Sequence, residues 1–340
     1  MGGIGRALAN LLPHLGDHVD VTVLTDARQP APAAPREVVK LRAPLSGRGA
    51  AWLQFAAPRY LRGFTGVFHC PFYGLPYRQS VPMVVTMHDL TFETHPAWFS
   101  ASRRLAFRLQ ARHAAKTAGR IFTDSEHVRA EILERYRVAA DRVMVVPLTV
   151  DDRFRDPPSP EMRSAMHERL GVQSPYVVAM GGAPRRNLPR AVEAWREVRR
   201  SHPDLALVVV GRERPAPAPG LFVAGAVDDD DWRALLAGAE AFLYPTEYEG
   251  FGMPALEALA SGTIVVCGRV GALPEVLGDA AAWCESTTTD GLAAGVRAVL
   301  DNADHAAALR LLARSRIERA PTWAAIAAET ARGYREASDG

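Results

Sequence analysis

Cysteine is scarce in this chain, and no charge sign dominates it. Only Cys70, Cys267 and Cys284 occur in 340 residues, far apart and without paired spacing. That pattern excludes a disulfide framework and a zinc ribbon, and it fits a reducing compartment. No apolar run approaches the ~20 residues needed to span a bilayer. The first residues hold no basic region leading into an apolar stretch, so a signal peptide is not expected. The balance of 40 Lys and Arg against 38 Asp and Glu leaves a formal charge of +2, too little for wholesale nucleic-acid binding. The expectation is a cytoplasmic protein with no nucleic-acid partner.

What is present is ordinary globular composition, 48% hydrophobic and 23% charged, in a chain long enough for two domains. Short β-branched runs alternate with longer amphipathic or Ala-rich stretches. The strand-like runs are Val19–Leu24, Val38–Leu41, Gly66–His69, Met83–Met87, Arg120–Thr123 and Val143–Val146 in the first half. In the second half they are Tyr176–Met180, Leu205–Val210, Leu221–Val223, Ala241–Tyr244 and Thr263–Cys267. Alternation of this kind predicts an α/β fold, two doubly wound parallel-sheet domains of Rossmann-like type. Asp151–Glu161 (DDRFRDPPSPE) is Pro-rich and aperiodic and reads as the linker. The domains are placed at residues 1–155 and 156–320, with a last helix in 321–340 packing back on the first. Ligands of open parallel sheets bind beyond the carboxyl ends of the strands, so the cleft between two such domains is where chemistry is expected.

The strongest local signal is Pro245–Ala260 (PTEYEGFGMPALEALA), which follows the apolar run Ala241–Tyr244. Pro254 suits the first turn of a helix. A glycine-bearing loop ahead of it presents free N–H groups and a positive dipole end, an anion site suited to phosphate. Glu249 and Glu257 flank that site, and carboxylates accept hydrogen bonds from vicinal hydroxyls. On spacing alone the pair could equally lie on a surface loop and an ordinary helix.

Taken with four other stretches in order, the segment resembles the family-four glycosyltransferases of GT-B fold. Gly2–Arg6 (GGIGR) is similar to their glycine loop, Thr86–Pro96 (TMHDLTFETHP) to their histidine loop, and Met180–Leu188 (MGGAPRRNL) to their basic phosphate loop. Phe122–Arg129 and Arg142–Asp151 resemble the segments leading to the linker. The resemblance covers nearly the whole chain. It implies a GT-B hexosyltransferase that retains configuration, needs no metal or other cofactor, and uses a sugar nucleotide as co-substrate. Similarity to bacterial mannosyltransferases of polysaccharide assembly favours GDP-mannose, with a UDP-hexose next. It further implies that Glu249, His88 and Arg186 are catalytic. Gly2, Gly3, Arg185, Asn187, Gly250, Phe251, Gly252, Met253 and Glu257 would bind donor, with Glu249 on the sugar and Glu257 on the ribose. Arg186 stands where many relatives carry Lys, and its loop is one residue shorter than common versions.

Other residues carry weaker readings. Trp98 and Phe99 could stack on an acceptor sugar. Asp124 and Ser125 read as a helix cap, Asp89 as structural, and Asp228–Asp231 as capping residues, so no metal clamp is expected. Arg104, Arg108, Arg112 and Lys116 recur every four residues and form one basic stripe. It is either a solvated face or a contact with an anionic membrane surface or lipid-linked acceptor. The second reading extends the location to the inner face of the plasma membrane. A glycine loop opening a helix normally follows a strand, and Gly2–Arg6 leaves no residue for one. Either the natural start lies upstream of Met1, the reading favoured here, or this domain lacks a strand its neighbours need, and N-terminal sequencing of the natural protein decides. Sugar-nucleotide epimerases, a non-catalytic sugar-nucleotide-binding subunit and a dinucleotide dehydrogenase share parts of this architecture. Epimerases lack the same placement of the E-x7-E and Arg-Arg-Asn elements, and a non-catalytic subunit predicts loss of motif residues, yet Glu249, Glu257, Arg186 and His88 are all present. For a dehydrogenase, Gly3-x-Gly5 does not continue to a third glycine and no strand precedes it.

Overall fold

Side-chain alternation along the strands explains the layering. In the computed structural model, which describes residues 3–27, 37–42, 51–172 and 175–339, each strand-like run overlaps a parallel strand. Contacts divide the chain into two compact units, Met1–Thr149 with Pro321–Gly340, and Val150–Ala320.

The first unit contains β1 (Thr22–Asp26), β2 (Glu37–Leu41), β3 (Phe68–Cys70), β4 (Met83–Thr86), β5 (Arg120–Thr123) and β6 (Val143–Val145). β1 pairs with β2, and β3-β4-β5-β6 form a separate parallel sheet. No ladder joins β1 to β3 among the described residues. Along β4, Met83 and Val85 enter a core shared with helix Ala101–Thr117. Val84, between them, enters another with Ala7, Phe122, Trp323 and Ile326. Period-two alternation thus places helices on both faces. The helix Gly3–Leu15 packs against the last helix, Trp323–Asp339.

The second unit holds β7 (Tyr176–Met180), β8 (Ala206–Val210), β9 (Leu221–Gly225), β10 (Ala241–Tyr244), β11 (Ile264–Gly268) and β12 (Ala282–Cys284). They form one six-stranded parallel sheet, ordered β12-β11-β10-β7-β8-β9. Tyr176, Val178, Phe242 and Tyr244 face one core, while Val177, Ala179, Ala241 and Leu243 face the other. Leu188–Val198 and Thr289–Asp301 cover the second of these faces. The fold class is the doubly wound α/β that the alternation of strands and helices predicts.

Three local expectations change. The stretch from Asp151 is not a loose connection, because Val150 and Phe154 are buried in the second unit's core. Its end is the start of helix Pro160–Leu170, capped by Ser159 and closed by Gly171 in the left-handed region. Three prolines hid that helix, whose only buried residue is Met166. GGIGR is not a loop as drawn: the helix already runs at Gly3, and Gly2 lies outside the described residues. Among the described residues, no helix is long and apolar enough to cross a membrane.

Candidate functional site

The second unit gathers its polar groups where β7 and β10 end. β10 is wholly buried, and its last side chain, Tyr244, points a phenol at the loop that follows. Gly252 takes φ +97° there, and a Cβ on it would stand 2.5 Å from Leu273. Only glycine fits. Pro254 then sits in the first turn of helix Met253–Ala260. The backbone N–H groups of Phe251, Gly252 and Met253 have no protein partner among the described residues. They are the orphan donors of a helix start.

Glu249 is only 4% exposed. Its Oε1 accepts from the Tyr244 hydroxyl, from Thr246 Oγ1 at 3.4 Å and from Arg185 Nε at 3.2 Å. Its Oε2 is left without a partner among the described residues. Three donors on one oxygen aim the other. Burial raises the Tyr244 hydroxyl well above its ordinary pKa, and the Glu249 charge raises it further, so the phenol stays a donor. The backbone of Glu249 is held too: its carbonyl accepts from Ala272 N at 2.9 Å. Glu257, one turn into the helix, is 2% exposed and accepts from Trp232 Nε1 at 2.8 Å.

The loop after β7 is tied to the loop after β10. Arg185 O accepts from Glu247 N at 2.8 Å, and Asn187 Nδ2 donates to Glu247 Oε1 at 2.6 Å. Arg186 donates through one terminal nitrogen to Gly181 O at 2.6 Å, and its buried Nε has no partner among the described residues. Asn187 adopts the left-handed conformation, φ 45°, turning the chain into helix Leu188–Val198. Glu249, Arg185 and Asn187 are thereby one network, with Arg186 close enough to act on Tyr244. Gly250 lies in the same loop. Tyr244, Thr246, Glu247 and Trp232 escaped sequence reasoning, since no spacing marks contacts that only the fold creates.

In the first unit His88 follows β4. Its Nδ1 lies 2.7 Å from Asp124 Oδ2 and its Nε2 3.2 Å from Pro71 O. Burial opposes the charged imidazolium, but Asp124 and the Pro71 carbonyl outweigh it, and the pKa is raised. Both nitrogens then donate. Asp124 is therefore the histidine's partner, while Ser125 alone caps helix Glu126–Tyr136 through Val128 N. Next to this pair His69 bridges Tyr334 and Thr86, each at 2.7 Å. Burial, with the nearby His88, lowers its pKa to about 3. Asp89 Oδ1 accepts from Tyr73, Thr91 N and Thr91 Oγ1.

Two other stretches of this unit carried expectations. Phe99 packs against Phe107 at the edge of the core, and one ring face of Trp98 is covered by His95 at 4.1 Å between centroids. The basic stripe is split: Arg104 Nε donates to Phe92 O at 3.1 Å and Arg108 pairs with Glu93 at 2.9 Å. The turn Thr91–Thr94 sits over that side of the helix, leaving only Arg112 and Lys116 exposed.

Comparison with known proteins follows the same division. Residues 1–154 match the family described as Glycosyltransferase Family 4, and residues 172–316 the family Glycosyl transferases group 1. The chain is 28% identical to the O-antigen chain mannosyltransferase B of Escherichia coli over 68% of its length and 64% of that protein. It is also 28% identical to an MMP alpha-(1->4)-mannosyltransferase of Mycolicibacterium hassiacum, over 76% of this chain and 66% of the other. The alignments thus span just under two thirds of these curated relatives. Among solved structures, WaaG, a glycosyltransferase involved in lipopolysaccharide biosynthesis, superposes with a TM-score of 0.77 at 17% identity, covering 98% of this chain and 96% of WaaG. Anabaena HepE in complex with UDP-glucose gives 0.75 at 15% identity, covering 98% and 95%. With its first half matched by Glycosyltransferase Family 4, its second by Glycosyl transferases group 1, and the fold shared, the chain is a glycosyltransferase of GT-B fold.

Proposed function

We propose that this chain transfers a hexose from a sugar nucleotide to an acceptor hydroxyl with retention of configuration. The observation that carries this reading is the aimed carboxylate of Glu249 beside unpaired helix-start N–H groups and the Arg185–Arg186 pair. A carboxylate suits sugar hydroxyls, and the donors suit a diphosphate. In the reaction the bond from sugar C1 to the diphosphate oxygen breaks, and one from C1 to the acceptor oxygen forms on the same face. The acceptor proton passes to the departing diphosphate, and no protein nucleophile is used. Arg185, Arg186 and the helix start supply the charge neutralisation that other classes obtain from a divalent metal. Glu257, fixed by Trp232, is assigned to the ribose hydroxyls.

Mannosyltransferases among the relatives favour GDP-mannose as donor. The UDP-glucose complex of HepE keeps a UDP-hexose as the second candidate. The acceptor is proposed to be a sugar, lipid-linked or natural-product hydroxyl. Thermal shift against a panel of nucleotide diphosphates and sugar nucleotides identifies the donor. With that donor, Glu249→Ala and Arg186→Ala should each lower turnover by orders of magnitude, and Glu257→Gln should mainly weaken donor binding. Wild-type turnover in Glu249→Ala sinks the assignment. Loss of activity in EDTA with recovery in magnesium sinks the metal-free mechanism. Slow donor hydrolysis by the purified chain separates an enzyme from a non-catalytic binding subunit.

A further inference from the structure

The loop between β8 and β9 has no part in the site above, yet one of its side chains reaches that site's backbone. Gly182 N donates to Glu213 Oε1 at 2.9 Å. Arg186 donates to Gly181 O at 2.6 Å. The carbonyl of Gly181 and the N–H of Gly182 belong to a single peptide unit. In a trans peptide they point in opposite directions. Glu213 and Arg186 therefore hold one peptide from its two sides, the carboxylate on the N–H and the guanidinium on the C=O. Each charge lies on the end of the peptide dipole that suits it, and each strengthens the bond the other makes.

The backbone at this point cannot hold itself. Both residues of the peptide are glycines, and Gly182 has φ +94°. With no Cβ on either side the peptide can turn over at little cost. A turned peptide carries Gly181 O away from Arg186. Among the described residues that oxygen is the only hydrogen-bond acceptor on the guanidinium, whose buried Nε has no partner. Glu213, by contrast, stands on an anchored loop. Gly211, with φ +126°, brings its backbone against the phosphate loop, where a Cβ on it would stand 3.2 Å from Gly181 C. Gly181 N donates to Val210 O and Gly211 N to Gly225 O, each at 2.8 Å. Beyond Glu213 come Pro215, Pro217 and Pro219, each with φ fixed by its ring. Arg199 donates to Pro219 O and, through Nε at 3.0 Å, to Pro203 O. The carboxylate also lies against Gly181, where a Cβ would stand 2.9 Å from Glu213 Oε2.

We propose that Glu213 is a positioning residue for the transfer: by holding the peptide between Gly181 and Gly182 it fixes the guanidinium of Arg186, leaving the other nitrogens of that group for the departing diphosphate. Glu213 itself touches neither donor nor acceptor. Its role rests on the reading of Arg186 given above. The test is release of GDP from GDP-mannose, or of UDP from UDP-glucose, by the full chain and its variants. Glu213→Ala should lower kcat about tenfold, what a hydrogen bond to a charged group is worth, with KM for the donor within about threefold of the parent. Glu213→Gln keeps an oxygen for Gly182 N and should stay within about threefold of the parent in kcat. In Glu213→Ala/Arg186→Ala the loss should be that of Arg186→Ala alone, because no guanidinium is left to position. Glu213 is exposed, so its variants should melt like the parent. Parent-like kcat in Arg186→Ala sinks the donor-site reading. With Arg186→Ala impaired, three results overturn the role of Glu213 alone: parent-like kcat in Glu213→Ala, an equal loss in Glu213→Gln, or an undiminished further loss in the double variant.

Discussion

Glu249 depends on a residue that touches no ligand in this scheme. Tyr244 is fully buried, and its phenol is spent on the carboxylate. Tyr244→Phe should cost about 1.5–3 kcal/mol in chemical denaturation, the range for a hydrogen bond to a charged group. It should also lower turnover, because Oε2 loses its aim. A variant with the parent's stability and rate would show the bond to be idle. The two histidines of the first unit should titrate apart. By imidazole NMR, His69 should stay neutral down to about pH 3, whereas His88 should hold its proton above its ordinary value, and Asp124→Asn should bring it down. The stability consequences have opposite signs. The lowered His69 contributes stability present above 6.5 and lost as pH falls toward about 3. The raised His88 contributes stability present at low pH and lost as pH rises through its folded value. His69→Gln should therefore flatten the acid limb of the stability curve, and His88→Gln the alkaline limb.

At the scale of elements, the glycines around the glutamate loop are as exacting as the side chains. Gly271 has φ +54°, and a Cβ on it would meet Glu249 O at 2.2 Å. Gly271→Ala should lower turnover like a change at Glu249, with near-native circular dichroism, because it displaces that backbone. Ser125→Ala removes the cap of helix Glu126–Tyr136 and should cost about 1 kcal/mol in denaturant melts. Elements with strong periodicity were legible from sequence: β7, β10 and helix Leu188–Val198 lie where alternation and the 3.6-residue repeat put them. Helix Pro160–Leu170, helix Leu273–Leu277 and β12 were not, being short or weakly amphipathic. In the site, Glu249, Arg185 and Asn187 were legible through their motifs, and the structure joins them. Trp232 under Glu257 was not, because 25 residues of chain separate a pair that only tertiary packing brings together. The basic stripe failed for the same reason. Periodicity reports which side chains share a helix face, and it is silent about the turn Thr91–Thr94 that covers half of it.

For the whole molecule, the two units differ in how the chain supplies them. Val150–Ala320 is continuous, whereas the first unit needs Pro321–Gly340 as well. Trp323, Ile326, Ala327 and Ala331 are buried there, and Tyr334 reaches His69. Deleting Pro321–Gly340 should strip several kcal/mol from the first unit, at the scale of losing a buried Trp and Ile together. Two-step melting, with dye binding to the exposed core and an unchanged second transition, would show it. A single unchanged transition would mean the last helix is dispensable.

The return of the last helix to the first unit also sets an order of events during synthesis. The second unit can close as soon as its own residues emerge, but the first must wait with Ala7, Val84 and Phe122 uncovered until Trp323 and Ile326 follow. At roughly 5–20 residues per second, translating Val150–Ala320 leaves that apolar face open for on the order of ten to thirty seconds. The ribosome-bound chain is then an unfinished domain carrying a finished one, and it is in that interval that this protein is most in need of a chaperone.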